Sequence, residues 1–502
     1  MGTARRKRWK WPILATLILI VAVAAQPAWK LWHAYRSDGT GVPLPKQGVA
    51  DDVSRLNATP IDSLVRVSED PEEAVAQLVS LVTLAAQRHL PISIAGARHS
   101  MGGHTIARDG VQVDMLPYKQ LSLDTATHIL TVGSGALWSE AIPYLDGYGR
   151  AVAVMQSDNA FSVGGSISVN CHGWQHNKAP IASTVESFRL LKADGTIVRC
   201  SRTENAELFS LVLGGYGLFG IILDVDLRTV PNERYTYHRV VVGSDNYVDM
   251  YTRLVDTDTN VRMVYGRLNV NADDFLQRAM LNYFTFDSAA PIPGGFEADG
   301  LADLKRSIFL ASKDDDYGKR LRWNSEQAVT KTRIGTRITR NQVMNESPSI
   351  YMNRTADHTD ILHEYFIPRR NFSRFIAAMQ QHMPEHKQDL LNVTVRNVYR
   401  DTDSFLSYAH EENFAFVLFF DQLITPEAEA DMLALTRKLI DAALALDGAY
   451  YLPYRLHASP EQLRKAYPMA DAFFARKRQY DPHELFQNTF YRTYGAPSPL
   501  HP

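Results

Sequence analysis

The chain has 502 residues, 45% of them hydrophobic and 22% charged. That is ordinary globular composition, long enough for two or three packed domains, and it excludes disorder as the main state. Lys plus Arg total 53 against 55 Asp plus Glu, so no overall positive field exists to neutralise phosphates and no nucleic-acid partner is expected. The two cysteines, Cys171 and Cys200, make neither a disulfide framework nor a Cys-x-x-Cys pair for zinc or redox chemistry.

The N-terminus differs in kind from the rest. Arg5, Arg6, Lys7, Arg8 and Lys10 precede an apolar run from Trp11 to Ala25, with Trp29 and Trp32 beyond it at interfacial spacing. Residues 1–35 therefore read as a membrane anchor, a single transmembrane helix. A cleaved signal peptide is the competing reading, because the run is short for a span and Ala22-Val23-Ala24 resembles a cleavage site. The charge bias places the N-terminus in the cytoplasm and the body outside. Residues 36–60, with Gly39, Gly41, Pro43, Pro45 and Gly48, lack hydrophobic periodicity and read as a linker.

The body opens with a β-α-β pattern. Ser63 to Val67 is strand-like, Pro71 to His89 carries Ala74, Leu78, Leu81, Leu84 and Ala85 at helical spacing, and Pro91 to Ala95 is a short β-rich run. Further strands are expected at Val111 to Met115, Ile129 to Val132, Val185 to Lys192 and Ile221 to Val230, with a helix around Glu204 to Leu213. An α+β or α/β domain is expected, with α+β as the fold class for the whole chain.

Three glycine-bearing segments carry the chemistry. The first, Gly96-Ala97-Arg98-His99-Ser100-Met101-Gly102-Gly103-His104, follows a strand, so its amides can converge on an anionic group where a Cβ would block approach. A tight strand-exit turn explains it equally well. The second, from Ser162 through Val163, Gly164, Gly165, Ser168 and Asn170 to His172 and Gly173, has small residues at nearly every position. It suits a backbone pressed on a flat ligand, or on another chain segment. The third, Gly215-Tyr216-Gly217-Leu218-Phe219-Gly220, matches the G-x-G-x-x-G expression, yet a helix precedes it and a strand follows. That is the reverse of a nicotinamide-binding Rossmann turn. His172 and His176 lack a third ligand at metal spacing, and no metal is expected.

In this order, the Gly96 loop, the Gly164 to Gly173 stretch, Leu191-Lys192-Ala193-Asp194-Gly195 and Gly217-Leu218-Phe219-Gly220-Ile221-Ile222 resemble the motifs of vanillyl-alcohol-oxidase-like flavoproteins. The resemblance implies a two-domain PCMH-type FAD-binding fold with a cap domain. The FAD domain spans residues 61–232 and the cap residues 233–450. Residues 451–502 return to the FAD domain, through Tyr480-Asp481-Pro482-His483-Glu484-Leu485-Phe486-Gln487-Asn488. It also implies FAD with its diphosphate on the Gly96 loop, its ring against Gly164 to His172 and its adenine near Ile222, with Gly220 and Asn488 as further contacts. Many such relatives join the flavin covalently to a histidine before serine in this loop, which points to His99, with Arg98 expected to disfavour the protonated ring.

The run Leu391 to Val398, followed by Asp401 and Asp403, resembles the cap strand of alditol and aldonolactone oxidases, which carry Glu where this chain has Thr394. Arg396 is retained. Gly448-Ala449-Tyr450-Tyr451-Leu452, Tyr467-Pro468 and Asp481-Pro482 resemble decaprenylphosphoryl-ribose oxidases, enzymes of a lipid-linked sugar. The implied activity is oxidation of a small molecule's CH–OH group by hydride transfer to flavin, Arg396 holding developing negative charge and His172 or Tyr399 as candidate bases. A lipid-linked sugar substrate, or a non-catalytic flavin-holding subunit, are the alternatives. The sequence names no electron acceptor.

Overall fold

A computed structural model describes residues 25–39, 41–42, 46–288, 296 and 302–496. The helix Pro71–Arg88 starts where expected. The Asp70 carboxylate accepts from the amides of Glu72 and Glu73, Pro71 follows it, and His89 closes the helix in the left-handed region. Its buried stripe is Ala74, Leu78, Val82 and Ala85, whereas Leu84 is exposed. The strands it connects, Ser63–Arg66 and Ile92–Ala95, do not pair with each other. Each pairs in parallel with Val111–Asp114, which becomes the centre of a three-stranded sheet.

A second, antiparallel sheet runs Ile197–Ser201, Val185–Leu191, Ile221–Pro231, Ile129–Gly133, Leu121–Asp124, with Arg150–Val152 on the far end of Ile221–Pro231. The Gly215 to Gly220 turn leads from helix Ala206–Val212 into Ile221–Pro231. A Cβ on Gly220, at φ +146, would lie 2.5 Å from the Leu191 carbonyl oxygen, so close packing is one reason for that glycine.

The cap is an eight-stranded antiparallel sheet in the order Arg337–Thr339, Arg234–Gly243, Arg278–Phe286, Val261–Leu268, Asp389–Val398, Asn413–Leu423, His358–Pro368, Ala449–Tyr450. Alternation divides its faces. Tyr365, Phe414 and Phe416 meet Phe372 and Phe375 of helix Phe372–His382. Glu364, Thr394 and Val417 point the other way, into a cavity shared with the FAD-domain residues.

The C-terminal segment returns as expected. Phe486 bridges Ile92 in parallel, the Ile92 amide donating to Leu485 O at 2.7 Å and the Gln487 amide to Ile92 O at 2.9 Å. The turn is held by Asp481, which pairs with the buried Lys477 ammonium and accepts from the amides of Leu485 (2.9 Å) and Phe486 (2.8 Å). Lys477→Met leaves that carboxylate buried without its counter-charge, and such breaks cost about 3–5 kcal/mol. Urea unfolding of the variant is expected to show a loss of this size. An unchanged midpoint would mean the pair contributes nothing to the closure.

At the N-terminus one expectation needs correction and the other falls largely outside the described residues. Residues 46–60 are not a free tether. Val49–Ala50 pairs with Thr59–Pro60, and the buried Asp52 accepts from the Gly103 amide (2.8 Å), Ser54 and Asn57 (2.7 Å). Polar side-chain bonds supply the order here, and hydrophobic periodicity does not report them. No helix among the described residues is long and apolar enough to cross a membrane. Apart from Ala25, the apolar run Trp11 to Ala25 lies outside the described residues, and residues 25–37 form a helix exposing Trp29, Trp32 and Tyr35.

Candidate active site

The cavity between the domains has a volume of about 400 Å³. Gly96 to Met101 and His104 line it, carried in by the strand Ile92–Ala95. Gly102 and Gly103 turn away. A Cβ on Gly102 would lie 2.6 Å from Tyr454 O, and Gly103, at φ +66, gives its amide to Asp52. The Val163–Ser168 stretch is a short helix. Gly164, Gly165 and Ser168 face the cavity while Val163 packs in the core. A Cβ on Gly164 would meet Ser134 Cβ at 2.7 Å and Ser134 O at 2.9 Å, so glycine is what allows this helix to approach.

Gly220 and Ile222 also line the cavity, but other expected contacts do not. Asn170 instead bonds Asp401 (2.9 Å) and accepts from the Ala182 amide (3.1 Å). A Cβ on Gly173 would strike Met155 O at 1.9 Å. Asn488 caps the helix Thr489–Tyr494 and donates to Tyr216 O at 2.8 Å. Asn170, Gly173 and Asn488 therefore hold the walls rather than face the ligand space.

His99 stacks on Phe161 with ring centroids 4.1 Å apart. Burial holds its ring down to about 4, partly opposed by a backbone hydrogen bond at Ala160, so the imidazole is neutral at physiological pH. Arg98 is not the cause, contrary to the expectation from sequence. It sits at φ 55 with its guanidinium directed to Asp114 (3.8 Å) and Gln112 (3.5 Å).

From the cap sheet, Arg396 reaches across the seam. Its Nη2 donates to Ser157 Oγ at 2.9 Å and its Nη1 to His172 O at 3.4 Å, while its Nε is buried with no hydrogen-bond partner among the described residues. His172 lines the cavity with Nε2 held 2.7 Å from Glu364 Oε1, both side chains being buried. Burial pushes the Glu364 carboxyl up, but the His172 ring, Arg396 and the Tyr454 hydroxyl outweigh it and hold the group below its usual range. Tyr399 lies outside the cavity wall and donates to Asn177 Oδ1 at 2.6 Å. One residue beyond Val398, it follows the chain out of the strand, which removes it as a candidate base.

Sequence reasoning missed Glu364 and Asp158, both of which line the cavity. A lone carboxylate in a loop or inside an aromatic strand carries no pattern, and each acquires meaning only through partners distant in sequence.

Residues 73–201 match the FAD binding domain family. The protein is an FAD-dependent oxidoreductase. Over 441 residues this flavoenzyme is 25% identical to an uncharacterized oxidoreductase, ORF5 of the fasciation locus of Rhodococcoides fascians, covering 82% of this chain and 90% of that protein. It is 30% identical over 159 residues to the L-gulonolactone oxidase of Mus musculus, 32% of this chain and 36% of the relative. It is 26% identical over 193 residues to the mitochondrial L-galactono-1,4-lactone dehydrogenase of Arabidopsis thaliana, 38% and 32% of the two chains. The two lactone enzymes are thus matched over about a third of their length.

The wall of the flavoenzyme's cavity suits a ligand rich in hydrogen-bonding atoms. The hydroxyls of Ser100, Thr105 and Ser134 are buried in it with no partner among the described residues, and unpaired buried polar groups of this kind call for a bound partner. Glycines at 96, 164, 165, 217 and 220 keep the same wall free of side chains.

Proposed function

We propose that the protein oxidises a CH–OH group of a sugar-, polyol- or lactone-like substrate. Bound FAD supplies the two-electron acceptor for that chemistry. The amides of Gly96 to Ser100 would hold its diphosphate, the Gly164 to Ser168 helix its ring, and Ile222 the adenine end, with His99 as the point of covalent attachment.

The observation that carries the reading is Arg396. A guanidinium fixed by Ser157 and His172 stands on the cavity face of the cap sheet, beside the FAD-domain residues. A preorganised donor in an enclosed site stabilises negative charge developing on a substrate oxygen at little reorganisation cost. Thr394 on the same face offers a hydroxyl where the alditol-oxidase pattern has a carboxylate, which favours a substrate other than a simple alditol. The named lactone enzymes among the relatives support a lactone or sugar ring.

Anaerobic mixing of the purified holoprotein with alditols, aldonolactones and lipid-linked sugars tests the reading. Bleaching of the flavin absorbance by a member of the first two groups is the expected result. No bleaching by any compound would count against carbinol oxidation.

A second reading, a membrane-held oxidase of a lipid-linked sugar with its body outside the cytoplasm, is favoured by one feature. The helix of residues 25–37 exposes Trp29, Trp32 and Tyr35 and is tied to the rim of the cavity. Asp38 pairs with Arg306, whose Nη1 donates to the carbonyls of Ser349 (2.9 Å), Ile350 (3.2 Å) and Met352 (3.1 Å). Tyr351 and Met352 of that segment both line the cavity and reach solvent. Bleaching confined to the lipid-linked sugars would select this reading.

A further inference from the structure

We propose that Asp158 is the proton acceptor for the substrate hydroxyl, working beside Arg396 at the seam of the two domains. This rests on the carbinol-oxidation reading and supplies the base that reading lacks.

The backbone around Asp158 is held from three sides. Gln156 Nε2 donates to Asp158 O at 3.0 Å, the Asn159 amide donates to Glu346 O at 2.9 Å, and Asn159 Nδ2 donates to Asn345 Oδ1 at 2.7 Å. Asp158 and Glu346 form an isolated parallel bridge, so a cap loop is strapped to the FAD domain at this residue. The side chain is the contrary case. It lines the cavity, and its carboxylate accepts no hydrogen bond from the described residues. Its neighbour Ser157 accepts from Arg396, and Arg396 is the charged group that acts on Asp158. A carboxylate whose backbone is fixed and whose oxygens accept no hydrogen bond from the described residues is placed to take a partner from the cavity.

Other ionisable groups around this space stand in different settings. His172 Nε2 is held by Glu364, and the Tyr454 hydroxyl donates to Glu364. Glu346 faces the cavity from the strapped loop, and its backbone carbonyl takes the Asn159 amide. Asp360 accepts from the Asn353 amide at 2.7 Å through Oδ2, keeps Oδ1 without a partner among the described residues, and lies in the field of Lys313, Asp421 and Arg55 rather than of Arg396. Burial pushes the Asp158 carboxyl up to about 6, with Arg396 drawing it down. It is therefore ionised at neutral pH yet more basic than an exposed aspartate.

The step balances as follows. The substrate O–H bond breaks, its proton goes to the Asp158 carboxylate, and its electron pair becomes the second bond of the new C=O. The carbinol C–H hydrogen would leave with its own electron pair, so the substrate loses two electrons, for which bound FAD would be the acceptor. Arg396 holds the oxygen while its charge builds and then falls.

Flavin reduction by the compound that bleaches the holoprotein, followed from about pH 5 to 9, tests the assignment. The rate is expected to rise with pH up to about 6 and then level, the limb reporting Asp158. Asp158→Asn should be slower by on the order of 10²- to 10⁴-fold with that limb gone, and Asp158→Glu should restore part of the rate with a displaced limb. The Asn variant should keep the flavin spectrum and be as heat-stable as the parent, or more so, at about pH 8. A carboxyl that is harder to ionise folded than unfolded lowers stability as pH rises between the two values. A structural aspartate would instead show lost stability.

An Asn variant that keeps both rate and limb would overturn the proposal. A readout independent of turnover separates this outcome from failure of the functional reading. In the oxidised holoprotein without substrate, the infrared carboxyl absorption titrating near 6 should contain a component that Asp158→Asn removes, the remainder belonging to Asp52 and Asp360, which burial likewise pushes up to about 6. Absence of that component sinks the assignment whatever the substrate panel gives, and a panel that bleaches nothing sinks carbinol oxidation whatever the infrared absorption does.

Discussion

Arg396→Ala is expected to slow flavin reduction by on the order of 10²-fold or more while FAD stays bound. The side chain stands on a rigid central strand, paired on one side with Asn413–Leu423 and on the other with Val261–Leu268. Its position therefore does not depend on a loop closing. Its two polar contacts use Nη1 and Nη2 and leave Nε unpartnered among the described residues, so donor capacity remains for a ligand atom. Truncation removes that donor from an enclosed site, where it acts more strongly than it would in water. Arg396→Lys should recover only part of the rate, because an ammonium cannot hold Ser157 Oγ and His172 O while also presenting a planar fork. Rapid-mixing reduction kinetics and the flavin-to-protein absorbance ratio are the two measurements. Unchanged reduction in the Ala variant would return Arg396 to the role of a strut between domains.

The second large effect is expected at His99. Acid precipitation of the parent should give a yellow pellet containing a flavin-modified His99 peptide, and His99→Ala should release all its FAD to the supernatant. With its ring held to about 4 by burial, His99 has a free lone pair across neutral pH, the form an imidazole needs in order to act as a nucleophile. Stacking on Phe161 fixes the ring plane without using either nitrogen. The variant should still bind FAD, since the glycines and unpaired hydroxyls of the wall are untouched, but it should oxidise substrate more slowly because the electron-withdrawing attachment is gone. A colourless parent pellet would make His99 an aromatic wall and no more.

Local pattern made some of this legible and tertiary distance hid the rest. The helix after Asp70 was readable because cap, proline and apolar spacing agree within a few residues. Thr394 and Arg396 were readable as one face of a strand because a period of two survives any tertiary context. The helix Val163–Ser168 left no signal in the sequence because two adjacent glycines argue against a helix locally, whereas contact with Ser134 decides it globally. The linker reading of residues 46–60 failed because Asp52, Ser54 and Asn57 order that stretch through polar bonds to residues such as Gly103 and Met101. Glu364 is paired with a histidine on another domain, and Asp158 is defined by a carboxylate that accepts no hydrogen bond from the described residues. Neither leaves a trace in the string of residues around it.

The C-terminal return also sets an order of events during synthesis. The Gly96 loop is backed by late parts of the chain: the Met101 amide donates to Pro453 O at 2.8 Å, Gly102 packs on Tyr454, and Thr489 donates its amide to Gly103 O at 3.2 Å. A nascent chain that has emerged only as far as the cap therefore holds the loop without its support, and the strand Ile92–Ala95 still lacks the bridge from Phe486. Cofactor capture must wait until residue 489 has left the ribosome. Ribosome-stalled chains cut short of Pro453 should then emerge colourless even where FAD is abundant.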